Sequence, residues 1–324
     1  MKTNKVQFRT QIPIPKSIRP IDYNSKIVSL GSCFAENIGE KFEYFKFQNA
    51  VNPFGIIFNP VSIENSISRI INQKYFAEED LFFHNERWHC YEVHSELSHP
   101  DKEAFLHNLN QILEATHNQI TNASHIIITY GTSWVYKLKA SNAIVANCHK
   151  VPQKEFDKEI LSVEVIQKSI QNTIVLIQKV NPNCNVIFTV SPVRHIKDGF
   201  VENSVSKSNL LTAIYQQLQT EHCKLNTEYF PSYEIMMDEL RDYRFYAEDM
   251  LHPNQVAIDY IWERFFQTQI TETIYPIMEE VCAIQKGLAH RPFNPNSERH
   301  QLFLANLTQK MTQLQEKIPH LNFC

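Results

Sequence analysis

The chain has 324 residues, of which 43% are apolar and 20% charged, and its net charge is -4. That length supports one α/β core of catalytic size with a tail rather than demanding two full domains. The acidic balance argues against a nucleic-acid binder, which would carry a basic face, and no stretch approaches the ~18 uninterrupted apolar residues of a membrane span. The opening MKTNKVQFRTQIPIPK has positive charge but no apolar centre, so it does not read as a signal peptide. The seven cysteines are scattered, odd in number and without CxxC spacing. This use argues against a disulfide framework or a zinc knuckle and fits a reducing cytoplasm. No metal and no cofactor is called for.

In chain order, KIVSL (Lys26 to Leu30) is a short β-branched run that ends at Gly31. Behind it Phe34, Ile38, Phe42 and Phe45 recur at the period of a buried helix face, which predicts strand, tight glycine turn, helix. LFFHNERWHCYEVHS reads as a hairpin insertion, rich in aromatic and β-branched residues. Leu106, Leu109 and Leu113 mark a helix, followed by the buried-strand run SHIIITYG ending at Gly131. A second hairpin insertion is predicted at WVYKLKASNAIVANCHK, then a helix through Val163, Ile166, Ile170 and Ile174, then a buried strand at NVIFTVS. Strands alternating with helices imply a doubly wound, mainly parallel sheet. After HRPFNPNSE, Leu304, Leu307, Met311, Leu314 and Ile318 fall on one face of a long helix, packed on the core or on a sister subunit as a homodimer.

Glycine is scarce: six in the whole chain, against an average near ~7%. Three of them, Gly31, Gly55 and Gly131, adjoin strand-like runs, where backbone geometry demands them. In an open parallel sheet, ligands bind beyond the carboxyl ends of the strands. Gly31-Ser32-Cys33 sits at such an end and opens a helix, where unpaired amides and the helix dipole favour negative charge. A thiol there is expected to have a lowered pKa, whereas a serine would need a neighbouring base. The bland alternative makes Cys33 a small buried residue and Ser32 an N-cap. YAEDMLHPN supplies that base: Asp249 and His252, three apart, can share one face of a turn. Pro253 suits the first position of the next helix, which would hold His252 at its mouth.

GSCFA at Gly31 to Ala35 matches the signature of the GSCFA family, of the SGNH-hydrolase-like superfamily. The resemblance continues at NPFGIIFNP (Asn52 to Pro60), YGTSW (Tyr130 to Trp134), SPVRH (Ser191 to His195) and DMLHPN (Asp249 to Asn254). It implies a three-layer α/β/α sandwich of SGNH or flavodoxin-like kind, with the hairpin insertions and a C-terminal helical extension. The expected division is a catalytic domain over 21–270 and a helical extension over 271–324. The resemblance also implies acyl-ester hydrolysis or acyl transfer on a small-molecule or carbohydrate acyl substrate. Laid over the superfamily's Gly-Asp-Ser, the first block puts Cys33 at the nucleophile's position, with Ser32 the alternative. Asp249 and His252 then complete the triad, and Gly55 resembles the second-block glycine whose N–H holds the oxyanion. The third block, Gly131-Thr132-Ser133, lacks the usual asparagine donor, and Asn52, Asn59 or the Thr132 hydroxyl are its candidate substitutes. Loss of that donor leaves open a non-catalytic binding protein that keeps the cleft.

Other residues follow by position. His84, His89, His94 and His99 fall five apart, an odd spacing that points successive strand residues to opposite faces and argues against a metal site. His94-Ser95 is placed to line the cleft. Arg194 and His195 directly follow a buried strand, as a substrate carboxylate or phosphate site or as part of a structural ion pair. Asn203, Ser206 and Lys207, after the Asp198-Gly199 turn, close that side.

Overall fold

The computed structural model describes residues 10–220 and 226–323. Its strands are β1 (Lys26–Gly31), β2 (Gln48–Val51), β3 (Leu81–His84), β4 (Arg87–Cys90), β5 (His125–Tyr130), β6 (Trp134–Leu138), β7 (Ala143–Val145), β8 (Phe156–Ile160), β9 (Asn185–Val190) and β10 (Thr227–Phe230). The helices are α1 (Cys33–Tyr44), α2 (Pro60–Ile71), α3 (Lys102–Asn122), α4 (Val163–Val180), α5 (Phe200–Leu218), the short α6 (Ser232–Glu234), α7 (Gln255–Gln269), α8 (Tyr275–Leu288) and α9 (Glu298–Lys317). Cys223 and Cys324 lie outside the described residues.

Five strands pair in parallel in the order β10-β9-β5-β1-β2. The period-2 geometry of a strand assigns each of their side chains to a layer. Val28, Ile126, Ile128, Val186 and Phe188 join the core formed with α2, α3, α4 and α5. Ile27, Ile127 and Ile187 face the opposite core with α1, α7, α8 and α9. The result is a three-layer α/β/α fold. β5 and β9 are buried at every position, which is why they read as unbroken apolar runs. Chain order reverses between β1 and β5, so the crevice for a ligand lies at their carboxyl ends. Gly31 and Gly131 stand there.

The insertions form as expected, with one addition. β3 and β4 make an antiparallel hairpin, and β6 pairs with β7. The charged FDKEI segment forms β8 on the other edge of β6, a strand its composition did not announce. On the tail helix, Leu307 and Leu314 are buried, while Met311 and Ile318 pack at the margin of the same core. Gly287 of α8 lets them approach, since a Cβ there would lie 2.8 Å from Leu307 Cδ1. Leu304 departs from the expected stripe and is exposed. No helix among the described residues is long and apolar enough to cross a membrane.

Gly31 is the position where the fold tolerates no side chain. Its φ is +137°, and a Cβ would lie 2.1 Å from the carbonyl oxygen of Thr129 on β5. That oxygen accepts the Ser32 amide at 3.0 Å and cannot retreat without opening the β1–β5 junction. Gly31→Ala is therefore expected to destabilise by about 3 kcal/mol or more, combining backbone strain with a steric clash. A fall in the urea midpoint of that size checks it; an unchanged midpoint refutes it.

Candidate active site

The corner after β1 is built by residues that satisfy one another. Ser32 is the N-cap of α1: its Oγ accepts the Phe34 amide at 3.3 Å and its carbonyl accepts the Ala35 amide at 2.8 Å. It is 2% exposed. Asn52 clamps the corner from β2, its Oδ1 accepting the Gly31 amide at 2.8 Å and its Nδ2 donating to Glu36 at 3.3 Å. Cys33, first residue of α1, is half-buried and free.

The sequence expectation of a low thiol pKa does not hold. Burial pushes the Cys33 thiol up and the Glu36 carboxylate adds to the rise. The amides of Phe34 and Cys33, and the Lys207 ammonium, pull the other way without offsetting it. A helix N-terminus favours a thiolate only while water still reaches the sulfur.

Like Asn52, the other three proposed donors are already engaged. The Gly55 N–H donates to Asn52 O at 2.7 Å, closing a turn at φ +74°, and the residue packs against His94 and Glu96. Asn59 caps α2: its Oδ1 accepts the Ser62 amide at 2.8 Å and its Nδ2 donates to Ser62 Oγ at 2.9 Å. The Thr132 hydroxyl shares a 2.8 Å hydrogen bond with Ser206 Oγ and accepts the Trp134 amide at 3.1 Å. His94, whose amide donates to Phe54 O at 3.0 Å, lies with its Nδ1 3.4 Å from Glu96. It belongs with Gly55, one step from the corner.

His195 lies beside Gly131. A Cβ built on Gly131 would lie 3.4 Å from His195 Nε2 and equally 3.4 Å from Ser32 Cβ, so ring and corner converge on one point. The ring stacks on Phe58 with centroids 5.7 Å apart, and Asn203 Oδ1 accepts the His195 amide at 2.9 Å. Nε2 is buried with no hydrogen-bond partner among the described residues. Burial, then the charges of Lys207 and His252, push the imidazole down to about 4, so it is neutral at pH 7.

Lys207 underlies the corner. It is fully buried, with Nζ donating to Gly131 O at 2.6 Å and Ser191 O at 2.8 Å, which ties the ends of β5 and β9 together. Desolvation lowers its pKa to about 7, and Cys33 is the charge that opposes the fall. Asn203, Ser206 and Lys207 all face inward from α5. The sequence signal was polar residues at helical spacing on a face that ought to be apolar.

Asp249 and His252 share a turn, as their spacing predicts. His252 Nδ1 and Asp249 Oδ2 are 2.5 Å apart, and Asp249 Oδ1 accepts the amides of Leu251 and His252, each at 2.9 Å. Those amides and the ring lower the Asp249 carboxyl to about 2. The following helix starts later than expected. Asn254 is the N-cap of α7, its side chain accepting the Ala257 amide at 3.1 Å, while Pro253 bridges to Tyr246. Asparagine wins that place because it can satisfy an orphan helix amide. The charge of His252 is one of those that lower His195, whose Nε2 lies by Gly131 beside the corner. Among the described residues no hydrogen bond joins His252 to Ser32 or Cys33. Beside Asp249 opens a cavity of ≈ 320 Å³ whose walls include Arg194, Met236, Met237 and Tyr246.

Among the remaining histidines, His84, His89 and His149 lie against one another, with ring centroids 6.3 Å apart for His84–His89 and 4.8 Å for His89–His149. His89 contacts Ser98 Oγ at 2.6 Å and His149 Nδ1 at 3.1 Å, and His99 is exposed. No group of three metal-ligating side chains forms among the described residues.

The fold is a three-layer α/β/α one with a Ser-Cys corner at its topological switch point, and the chain also holds a paired Asp-His turn. Residues 26–265 match the GSCFA family, and residues 281–324 match the GSCFA domain protein, C-terminal domain. The chain belongs to the GSCFA family. A comparison with curated proteins finds no match.

Proposed function

We propose that this protein is an SGNH-type acyl-ester hydrolase or acyltransferase in which Cys33 is the nucleophile. What supports the reading is the approach of the Ser32-Cys33 corner and the buried His195 ring to Gly131, together with an Asp249–His252 pair whose charge acts on that ring. Cys33 is favoured over Ser32 because the Ser32 hydroxyl is buried as a helix cap, whereas Cys33 is only half-buried and the amides of Phe34 and Cys33 favour its thiolate.

A thiol held above its ordinary pKa needs a base. His252, its tautomer fixed by Asp249, takes the thiol proton as sulfur attacks the ester carbonyl. Collapse of the tetrahedral adduct expels the alcohol, which receives that proton from His252, and leaves a thioester on Cys33. Water or a sugar hydroxyl then gives its proton to His252 and attacks the thioester, the Cys33–acyl bond breaks to release acid or a new ester, and His252 returns the proton to the Cys33 sulfur. The Cys33 amide and the neutral His195 Nε2–H hold the oxyanion, in place of the engaged Gly55 amide and the missing asparagine. The carbohydrate-linked acyl substrate rests on the superfamily resemblance. In this reading 21–270 is the catalytic domain, and 271–324 is an extension buttressing α1 and α7. The chain works in the cytoplasm without nucleic acid, and the exposed Leu302, Phe303 and Leu304 of α9 are its candidate homodimer face.

The second reading, a binding protein that keeps the cleft, draws support from the engaged Gly55 and Thr132 donors. Labelling and turnover separate the two. Iodoacetamide is expected to modify Cys33, identified by peptide mass, with a rate that climbs only above the ordinary thiol value of about 8.5. Short-chain p-nitrophenyl esters are expected to be hydrolysed. If no ester is turned over and Cys33 stays unlabelled up to high pH, the binding reading replaces the catalytic one.

A further inference from the structure

On the proposed acyl-transfer reading, the acyl group lies at the corner and the rest of the substrate enters the ≈ 320 Å³ cavity beside Asp249. That volume is in the range of small-ligand pockets, about 300–1,000 Å³. The charges around it are paired, except one. Asp249 is held by His252 and two amides. Asp242 pairs with Arg244 at 2.9 Å, and Arg241 with Asp238 at 3.1 Å.

Arg194 has no carboxylate partner among the described residues. Its Nη2 donates to Met237 Sδ at 3.0 Å, and its Nε is buried with no hydrogen-bond partner. A thioether is a weak acceptor, and a guanidinium presents five donors in a planar fork suited to an oxyacid. Leaving such a group half-buried without an anion is costly unless a ligand supplies one. The ion-pair alternative raised by the sequence finds no partner here.

We infer that Arg194 reads an oxyacid anion, carboxylate or phosphate, carried by the acyl substrate. Met236, Met237 and Tyr246 line the same cavity, so an apolar spacer separates the anion from the reacting ester. The Asp249 carboxylate oxygens are already taken up by the His252 ring and two amides, which leaves Arg194 as the cavity's unpaired charge for the anion.

The test rests on a ratio and on binding. With wild type and Arg194→Gln, kcat/KM is measured for mono-p-nitrophenyl glutarate and for the neutral p-nitrophenyl butyrate. A charge-assisted contact predicts that the anionic-to-neutral ratio falls about 10- to 100-fold in the variant. Separately, glutarate and butyl phosphate are titrated calorimetrically into Cys33→Ala protein, with and without Arg194→Gln. Tighter butyl phosphate binding assigns a phosphate substrate, and tighter glutarate binding a carboxylate. An unchanged ratio with no Arg194-dependent binding of either anion overturns the inference while leaving the acyl chemistry standing. Arg194-dependent binding without turnover of any ester sustains the anion site and overturns the acyl chemistry.

Discussion

Cys33→Ala is expected to abolish ester turnover, lowering kcat by at least about 10³-fold, because no other group at the corner replaces a lost nucleophile. Ser32→Ala should act differently. Its hydroxyl accepts one helix amide, so its loss costs about 1 kcal/mol of stability and leaves most of kcat. His252→Ala should match Cys33→Ala in size, and the double variant should fall little further, since nucleophile and base act as a unit. Single-turnover assays with p-nitrophenyl butyrate give the comparison. Full activity in Cys33→Ala with loss in Ser32→Ala would move the nucleophile by one residue. Additive losses would show that His252 acts elsewhere.

The pH response separates the two halves of the pair. Asp249, lowered to about 2, stays ionised and keeps orienting His252 through any assay range. Its depressed value makes a stabilising contribution above the ordinary carboxylate value that disappears only as pH falls through about 2. The raised Cys33 thiol works in the opposite direction, since its neutral form is the one the fold prefers until alkaline pH.

What the sequence made legible was local or periodic. The β1 corner, the buried runs of β5 and β9 and the Asp249–His252 turn each depend on residues within a few positions of one another. The layer assignment also follows from alternation along the strands. What escaped depends on partners that sequence cannot display. Gly55 looked like an oxyanion donor because glycine permits close approach, but its amide belongs to the Asn52 carbonyl. Cys33 looked acidic because a helix starts there, but desolvation and Glu36 outweigh the amides. His195 looked like an anion ligand beside Arg194. The two side chains leave the strand in different directions, one into the corner and one into the cavity.

His195 carries the second large effect. A neutral imidazole donates one hydrogen bond without a net charge, and a buried ring loses no reorganisation energy when an oxyanion forms beside it. Removing such a donor typically lowers kcat by about 10²–10³-fold with little change in KM. His195→Leu is expected to do so, and His195→Gln, whose amide reaches near the Nε2 position, should restore part of the loss. A merely structural ring, stacked on Phe58, would be rescued better by leucine than by glutamine. The pH profile adds a readout that packing would not move. With a value of about 4, His195 changes charge only in acid and keeps its Nε2–H in both forms, so the wild-type profile should lack a His195 limb near neutrality. Equal kcat in His195→Leu and wild type would remove this residue from the oxyanion site and leave the Cys33 amide as its remaining donor.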